Sequence, residues 1–398
     1  FALDLCMKKI TDAELKELDL SCLISITNGS EPVHYYPTKK FNERFLVCGI
    51  KPSVIRPGFG LAETVIMFSG CKEGLKGLCV DRNFFEKEGK VKIVSESSLE
   101  KDKKILVNLG PQMDLHEIVI KDNKNQPLPE GRVGELTISG PSVAQGYYNN
   151  SPATKEIFQQ KIEGKEKLFL ATGDNALIWQ GDLYFAGRGK NIIIIRGRNY
   201  YPQDIELVLS KIEELRPGCL MAFASQRENK SEHLSVGVEI RSDLLKEMEI
   251  FKKYILNSID QKIIETIMSF FQISPIERIY LEPGTILKTS SGKIKHLHNK
   301  KIFEKNNFSG LIKRITSSID SNYQLSGEKI SSIQKDLVSI FEKIISFPPD
   351  LNKPILNHGV DSVLIVELID QIEEKYSKNL DIQDSTTLIE IEEQIKNS

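Results

Sequence analysis

The chain has 398 residues, 40% of them hydrophobic and 27% charged, with a formal net charge of −2. This length suits two or three domains, and the composition is that of a globular protein that buries a core. Its lysines are spread along the chain rather than clustered, which argues against a nucleic-acid surface. No run approaches the roughly 18 apolar residues of a membrane span, and the first residues, FALDLCMKKI, show no leader. We therefore expect a cytoplasmic protein without a membrane span.

Acidic residues and cysteines are distributed in informative ways. Residues 328–398 hold 14 acidic against 7 basic side chains, so an acidic module follows a mildly basic body. The six cysteines stand singly, without the C-x-x-C spacing of a zinc or redox site, and are too sparse for a disulfide scaffold. We expect them to be core thiols.

The predicted elements change in character along the chain. Residues 1–186 mix short apolar runs with Gly and Pro, which is typical of strands and loops. In NIIIIRGRNYYPQDIELVLSKI the four isoleucines predict a buried strand. Pro202, Asp204 and Glu206 then suit the first turn of a helix, where a missing N–H is harmless and negative charge is favoured. A second, smaller α/β domain is expected over residues 187–300.

The last part of the chain is predicted to be a linker and a helical bundle. Residues 301–327 are polar and lack clear periodicity, which indicates a linker. Residues 328–398 are predicted to form the bundle. Its central helix carries one apolar stripe at helical spacing, formed by Ile365, Leu368, Ile369, Ile372 and Tyr376.

Asp361 and Ser362 stand at the start of that central helix, in the stretch NHGVDSVLIVELI. Taken alone, the pair is an ordinary N-cap. An acidic module behind a polar linker, with G-[VL]-D-S-[VL] at a helix N-terminus, resembles the acyl and peptidyl carrier proteins, whose serine bears 4′-phosphopantetheine. A phosphodiester on Ser362 would lie against free backbone N–H groups and the positive end of the helix dipole. We therefore favour phosphopantetheine attachment at Ser362 over capping.

Four further motifs precede the linker in a fixed order. They are NGSEP (28–32), RPGFGLAE (56–63), ATGDNALIWQGDLYFAGRGKN (171–191) and LEPGTILKTSSGKIKHL (281–297). Together they resemble the adenylate-forming superfamily, which includes acyl-CoA synthetases, luciferases and peptide-synthetase adenylation domains. The resemblance implies an α/β adenylate-forming enzyme fold with α+β subdomains, followed by a small all-α four-helix carrier domain. It also implies ATP or AMP and Mg²⁺ as cofactors.

The first three motifs carry the nucleotide site that the resemblance implies. Glycines here would let the backbone approach the flat adenine base, which a Cβ would obstruct. By similarity, a phenylalanine lines the nucleotide and acyl pocket, an aspartate accepts from the ribose hydroxyls, and an arginine contacts ribose or phosphate. The implied nucleotide-binding residues are Asn28, Gly29, Ser30, Glu31, Pro32, Phe59, Gly60, Asp174 and Arg188.

Two further residues of these motifs have implied roles of their own. By similarity, Glu63 would hold Mg²⁺, since a carboxylate oxygen suits a hard cation. Lys190, in the segment GRGKN, matches the hinge position about which the smaller domain swings in this superfamily. As isolated features they would be a solvated carboxylate in a turn and a surface cation.

The fourth motif contains SSGK, which can be mistaken for a phosphate-binding P-loop. Gly284 and Gly292 are separated by seven residues rather than four, and Ile294 follows the lysine where Ser or Thr should bind Mg²⁺. The segment instead resembles the last adenylation motif, which makes Lys293 the catalytic lysine. Its ammonium would hold the attacking carboxylate beside the α-phosphate and stabilise charge as pyrophosphate leaves.

Two features resemble fatty acyl-AMP ligases more than acyl-CoA synthetases. An extra segment, VDRNFFEKEGKVKIVSESSLEKDKKILVNLG, lies where these ligases have an insertion thought to hinder the rearrangement that CoA requires, and RGRNYYPQDIE resembles their hinge-following signature. The implied reaction activates a fatty acid with ATP and passes the acyl group to its own or a separate carrier, for lipid, polyketide or lipopeptide synthesis. The implied partners are a phosphopantetheinyl transferase and a downstream polyketide or lipid synthase. An acyl-CoA synthetase and a non-catalytic carrier or docking fragment remain the alternatives.

The chain departs from the superfamily pattern at its start. The Ser/Thr/Gly-rich phosphate loop that precedes these motifs is not in the sequence, and the first residue is Phe rather than Met. We therefore expect residues 1–186 to be the C-terminal portion of the large adenylation subdomain. We expect the intact gene product to be the ligase and this chain by itself to be inactive or poorly folded.

Overall fold

The structure is a computed structural model that describes most of the chain. The described residues are 2–226, 232–246, 249–289, 292–305, 309–316, 331–345, 355, 362–378, 380, 382 and 386–397. Backbone contacts divide the chain into two compact units, residues 1–203 with 288–293, and residues 204–287 with 294–398.

The first unit is built mainly of short strands, in agreement with the expectation for residues 1–186. Its helices are α1 (Ala2–Lys9), α2 (Asp12–Glu17), α3 (Tyr35–Phe45), α4 (Arg82–Glu88) and α5 (Ser151–Phe158). Its strands are β1 (Ile26–Asn28), β2 (Ile55–Phe59), β3 (Ser69–Gly70), β4 (Gly77–Asp81), β5 (Lys103–Val107), β6 (Glu117–Lys121), β7 (Gly134–Ser139), β8 (Gln160–Lys161), β9 (Leu168–Trp179), β10 (Asp182–Arg188), β11 (Ile193–Ile195) and β12 (Arg198–Tyr200).

The sheets of the first unit place Asn28, Phe59 and Arg188 at strand ends and Asp174 within β9. In a three-stranded sheet, β1 runs parallel to β2, with Asn28 opposite Pro57, and β2 pairs antiparallel with β3. A five-stranded antiparallel sheet has the order β10-β9-β7-β6, with β8 on β9. Two hairpin-like pairs, β4 with β5 and β11 with β12, complete the unit. The apolar core of the larger sheet comes from alternate strand residues, including Leu136, Ile138 and Leu183.

The second unit is an α/β layer followed by helices. Helix α6 (Pro202–Leu209) carries the chain across the division between the units. A four-stranded sheet has the order β13-β14-β15-β16, with β14 and β15 parallel and the other pairs antiparallel. Its elements and the helices beyond are β13 (Leu215–Gln226), β14 (Glu232–Ile240), α7 (Glu249–Phe271), β15 (Glu277–Leu281), α8 (His296–Glu304), β16 (Leu311–Thr316), α9 (Ser332–Ile345), α10 (Ser362–Tyr376) and α11 (Leu388–Asn397).

Helices α9, α10 and α11 share a core of their own. Leu368 and Ile372 of the predicted stripe are buried, and Ile369 and Tyr376 pack against the same core. Tyr376 also donates a hydrogen bond to Asp336 of α9, at 3.0 Å. The amphipathic central helix is therefore confirmed for the residues described, whereas the side chain of Ile365 and the rest of the expected four-helix domain lie outside them.

The segment expected to be a linker, residues 301–327, is partly ordered secondary structure. Helix α8 continues to Glu304, and β16 forms the edge of the second sheet by pairing with β15. Arg314 stabilises this strand, since its Nε donates to Glu277 at 2.7 Å and its Nη1 donates to the carbonyl of Phe303 at 3.1 Å. Glu277 and the pairing strand β15 lie outside the segment, so its own polar sequence did not indicate a strand. Residues 317–327 lie outside the described part of the chain.

Other expectations meet a more varied outcome. Pro202 begins α6 as predicted. Of the isoleucine run, Ile193 is fully buried but Ile194 is 51% exposed, because β11 pairs only with β12 in a two-stranded ribbon. None of the six cysteines, all of which the structure describes, forms a disulfide; three of them are buried, while Cys22 is exposed. Within the described residues, no helix has both the length and the apolar character needed to cross a membrane.

Candidate functional site

The loop after β1 runs against β2 at a point where only glycine fits. A Cβ added to Gly29 would lie 2.7 Å from the carbonyl oxygen of Gly58. Ser30 follows with φ of +70°, a backbone conformation that L-residues rarely adopt. The loop residues Ser30, Glu31 and Pro32 are exposed, and Asn28 and Gly29 are half-buried. The structure therefore brings the first two predicted motifs side by side and leaves one face of the loop open to a ligand.

Phe59 closes one wall of this region at the end of β2. Its ring stacks on Phe185 with centroids 5.7 Å apart and meets Phe68 edge-on at 5.5 Å. A Cβ on Gly60 would lie 1.6 Å from the carbonyl oxygen of Ile66, so the turn after Phe59 requires glycine. The half-buried ring is thus held by aromatic contacts on a tightly closed turn.

Glu63 has a partner that the sequence motifs did not include. The phenol of Tyr147 donates a 2.6 Å hydrogen bond to the Glu63 carboxylate. The bond raises the pKa of Tyr147 to about 12, because losing the phenol proton would place two negative charges together. Ala144 N–H also donates to the Glu63 carbonyl at 2.8 Å. Only the tyrosine pair in GYYNN marked this position in the sequence, and it carried no spacing that pointed to Glu63.

Asp174 and Arg188 face each other across β9 and β10. They are register partners, with Arg188 Nε 3.3 Å from Asp174 Oδ1. The Asp174 side chain is 15% exposed and that of Arg188 is 63% exposed, so the cation lies on the solvent side. Burial raises the pKa of Asp174 to about 6, the Arg188 guanidinium partly offsets this, and the Glu63 charge adds to it. Glu63 and Asp174, 111 positions apart in the sequence, therefore act on each other electrostatically.

Lys190 lies directly after this pair, in the single turn Gly189–Asn191 between β10 and β11. Its side chain is exposed. The turn is close to β9, since a Cβ on Gly189 would be 3.3 Å from both the Asn175 side chain and the Gly173 carbonyl. The structure places Lys190 at a turn directly after Arg188, and both the nucleotide role of these residues and movement about Lys190 stay predictions.

Lys293 and Ser362 are located on their own elements. Lys293 is exposed in the loop before α8, where its N–H donates to Thr289 Oγ1 at 3.1 Å and its carbonyl accepts from Thr289 N–H at 2.8 Å. Ser362 is the first residue of α10, and its side chain lies outside the described atoms. Their roles in catalysis and attachment stay predictions.

A buried ionic cluster joins the extra segment to the hinge-following segment. The Arg198 guanidinium on β12 donates to Glu86 Oε2 on α4, at 3.0 Å from Nε and 2.6 Å from Nη2. Glu86 is fully buried, and burial raises its pKa while Arg198, Arg82 and Lys104 oppose that shift. Lys104 also lies 3.7 Å from the ring centroid of Tyr201. No sequence pattern indicated this cluster, because Arg198 and Glu86 are 112 residues apart.

Comparisons with known proteins identify two domains in the chain. The AMP-binding enzyme family model matches residues 2–148, and the phosphopantetheine attachment site model matches residues 335–393. A medium-chain-fatty-acid–[acyl-carrier-protein] ligase, JamA of Moorena producens (strain JHB), is 32% identical over 74% of this chain and 49% of its own length. The long-chain-fatty-acid–AMP ligase FadD26 of Mycobacterium marinum is 29% identical over 74% of this chain and 50% of its own.

A solved structure from a study of fatty acyl-adenylate ligases of E. coli and L. pneumophila superposes with a TM-score of 0.67. It is 29% identical and covers 77% of this chain and 52% of that one. The chain thus spans about half the length of the relatives it matches. Proteins with these two domains use ATP or AMP with Mg²⁺, and 4′-phosphopantetheine. The matches and the shared fold together show that the chain carries an AMP-binding enzyme domain with the adenylate-forming fold and a phosphopantetheine-attachment domain.

Proposed function

We propose that the full protein is a fatty acyl-AMP ligase that loads its own carrier domain. It would join a fatty acid to ATP with release of pyrophosphate, and then pass the acyl group to the carrier with release of AMP. The observations that support this most directly are the electrostatic grouping of Glu63, Asp174 and Arg188 and the close approach of the loop at Gly29 to Gly58 of β2. The similarity to two fatty-acid ligases and the carrier match give the substrate class and the acceptor.

The nucleotide would be held by groups already in place. Asp174, as a carboxylate, can accept from both ribose hydroxyls, and Arg188 presents its planar fork of donors on the solvent side, where a phosphate or ribose oxygen can reach it. Phe59 and the backbone around Gly29 and Gly60 offer a flat surface for the base. The exposed residues 30–32 would complete the loop around the adenine.

The residues around Glu63 fit a magnesium ion that is shared with the substrate. The Glu63 carboxylate supplies hard oxygen atoms, and Tyr147 orients them. No cluster of three His, Cys, Asp or Glu side chains suited to a metal occurs in the described part of the chain, so phosphate oxygens and water would provide the other ligands. When bound, Mg²⁺ supplies charge neutralisation at the triphosphate.

Lys293 would act on the reacting groups from an exposed loop in which its backbone is hydrogen-bonded to Thr289. Its ammonium would hold the fatty carboxylate against the α-phosphate and stabilise the charge that builds up as pyrophosphate departs. After that step the smaller domain would rotate about Lys190 and withdraw Lys293, as the hinge position at the turn Gly189–Asn191 allows.

The acceptor would be Ser362 at the first turn of α10. The backbone N–H groups of that turn suit a phosphodiester, and bound phosphopantetheine supplies the thiol that accepts the acyl group. The proposal includes a phosphopantetheinyl transferase and a downstream polyketide or lipid synthase as partners, and the cytoplasm as location.

Intact-mass spectrometry of the full-length protein tests both halves of the proposal. Treatment with a phosphopantetheinyl transferase and CoA, followed by ATP, Mg²⁺ and mixed fatty acids, is expected to add phosphopantetheine and then a fatty-acyl mass. Ser362→Ala should abolish both additions, and Lys293→Ala only the second. Lys301→Ala, which removes the same charge from the exposed face of α8, should load normally. Phosphopantetheine without any acyl addition would leave only a carrier that another ligase loads.

The acceptor distinguishes the proposal from its nearest rival. The nucleotide residues would serve an acyl-CoA synthetase equally well, so free CoA should be offered to the protein in place of the carrier. Efficient release of acyl-CoA by the Ser362→Ala variant would contradict the ligase assignment.

A further inference from the structure

The loop that carries Lys293 rises from a base formed by Leu287 and Lys295. Lys295 N–H donates to the Leu287 carbonyl at 3.0 Å, which joins the two legs of the loop. Lys293 precedes Lys295 by two residues, so the direction in which its side chain leaves the loop depends on how this base is held. Gly292, with φ of +83°, completes the turn before the lysine.

Asn299 of α8 holds both legs of that base. Its side chain is fully buried. Its Oδ1 accepts from Leu287 N–H at 2.9 Å, while Nδ2 donates to the Leu287 carbonyl at 2.9 Å and to the Lys295 carbonyl at 3.1 Å. One amide thus makes three hydrogen bonds to the backbone of the loop, with both of its donor positions used. An apolar side chain of similar size could make none of them.

The residue before Leu287 is fixed in a related way. Ile286 N–H donates to Glu239 Oε1 at 2.7 Å, and Glu239 is fully buried and paired through Oε2 with Arg216. Two successive backbone amides of the ascending leg are therefore bound by buried side chains of neighbouring elements. Lys293 itself is exposed. Buried side chains therefore hold the backbone at Ile286 and Leu287, whereas Lys293 is accessible to solvent.

We propose that Asn299 is a positioning residue for Lys293: its amide sets the geometry of the loop base so that the lysine ammonium reaches the reacting carboxylate and phosphate. The inference rests on the proposed function, since it assigns Lys293 to acyl-adenylate formation. Small errors in the placement of a catalytic group are costly, on the order of 10²-fold in rate for a displacement of about 1 Å. This role does not require Asn299 to contact the substrate.

The test separates the two half-reactions of the full-length protein. Acyl-adenylate formation is measured by pyrophosphate exchange, and transfer is measured by supplying synthetic acyl-adenylate to the phosphopantetheinylated protein. Asn299→Leu is expected to slow the first reaction on the order of 10²-fold and to change the second by less than about twofold. Lys293→Ala should show the same division between the half-reactions. If Asn299→Leu slows both half-reactions equally, Asn299 only stabilises the fold, and the inference is overturned.

A second variant and a matched control keep the test decisive. Asn299→Asp preserves the size of the side chain and the acceptor for Leu287 N–H but loses both amide donors. If Asn299→Leu does not fold, Asn299→Asp should show the same division between the half-reactions. Asn108, a buried asparagine of the first unit bonded to Asp182 and Tyr184, is the control. Asn108→Leu should lower stability without separating the half-reactions.

Hydrogen exchange gives an independent reading of the base. Exchange at the Leu287 amide should accelerate in Asn299→Leu, exchange at the Lys295 amide should accelerate in both Asn299 variants, and both should stay unchanged in Asn108→Leu. Unchanged protection at Leu287 would contradict the proposed hold on the loop. If Lys293→Ala leaves acyl-adenylate formation intact, the role of Lys293 in the proposed function fails; if it abolishes that step while Asn299→Leu leaves it unaffected, only the present inference fails.

Discussion

Two opposing effects set the pKa of Asp174. Burial favours the protonated form of its carboxyl group, and the adjacent Arg188 cation favours the charged form. Burial dominates, and the pKa of Asp174 is raised to about 6, with the Glu63 charge adding to the shift. A protonated carboxyl can donate one hydrogen bond but loses capacity to accept from two ribose hydroxyls. Asp174, which would contact the nucleotide in the proposed site, therefore changes its protonation state near pH 6.

This balance predicts an acidic limb in the activity of the full-length protein. Because Asp174 gains a proton as pH falls through about 6, kcat/KM for ATP in acyl-adenylate formation should fall over that range. Asp174→Asn should be slower throughout and lack this limb. Measurement of kcat/KM between pH 5 and 8 checks the prediction. A profile for the unsubstituted protein that stays flat down to about pH 5 would show that Asp174 does not titrate in contact with the nucleotide.

At the scale of elements, the contact between α4 and β12 is the clearest long-range feature of the first unit. Arg198 reaches the fully buried Glu86 with two hydrogen bonds, and the aromatic pair Phe85 and Tyr201 packs beside them with centroids 5.9 Å apart. A buried carboxylate that loses the cation to which it is hydrogen-bonded keeps its desolvation cost with less compensating attraction, and at Glu86 only Arg82 and Lys104 would remain to oppose it. The ion pair thus specifies which surface of α4 the strand β12 contacts.

Arg198→Met is therefore expected to lower the free energy of unfolding by about 3–5 kcal/mol. The loss should be larger at pH 8 than at pH 5. Without Arg198 the pKa of Glu86, already raised by burial, rises further. A carboxyl group whose pKa is higher in the folded than in the unfolded chain lowers the free energy of unfolding as pH increases above its pKa in the unfolded chain. Urea unfolding at both pH values measures this. Adding Glu86→Gln should recover part of the loss, and an unchanged midpoint for Arg198→Met at pH 8 would contradict the prediction.

Elements whose signals are local could be predicted from the sequence, and those that depend on distant partners could not. Pro202 marks the start of α6 and the stripe containing Leu368 and Ile372 marks α10, because capping preference and helical period act within a few residues. Strand β16 depends on pairing with β15 and on the Arg314–Glu277 ion pair, which no local pattern reports. The exposure of Ile194 likewise follows from a ribbon of only two strands.

The candidate site shows the same division. Motif order located Glu63, Asp174 and Arg188, and the structure places these three within one electrostatic environment. Tyr147 and Asn299 were missed. Each acts through a single hydrogen-bonding group on a partner that is remote in sequence or on another element, and neither residue type nor spacing carries that information.

At the scale of the whole molecule, the independent core of α9, α10 and α11 bears on how the carrier is loaded. Leu337, Phe341, Leu368 and Ile372 are buried within these helices, and Asp336 links α9 to α10 through Lys375 and Tyr376. A carrier with its own core, joined covalently to its ligase, reacts at an effective concentration in the millimolar range when the connection can span the distance. Loading would then be intramolecular.

We therefore predict that the first-order rate of acyl loading in the full-length, phosphopantetheinylated protein is independent of protein concentration. Dilution should slow loading between separate molecules in proportion but leave an intramolecular step unchanged. Intact-mass time courses at about 0.1 and 10 μM, both far below a millimolar effective concentration, measure this. A mixture of Ser362→Ala, which supplies only the ligase, and Lys293→Ala, which supplies only the carrier, gives the intermolecular reference. A rate for the unsubstituted protein that rises with concentration as the mixture does would show that each carrier is loaded by another molecule, because the covalent connection then contributes no local concentration.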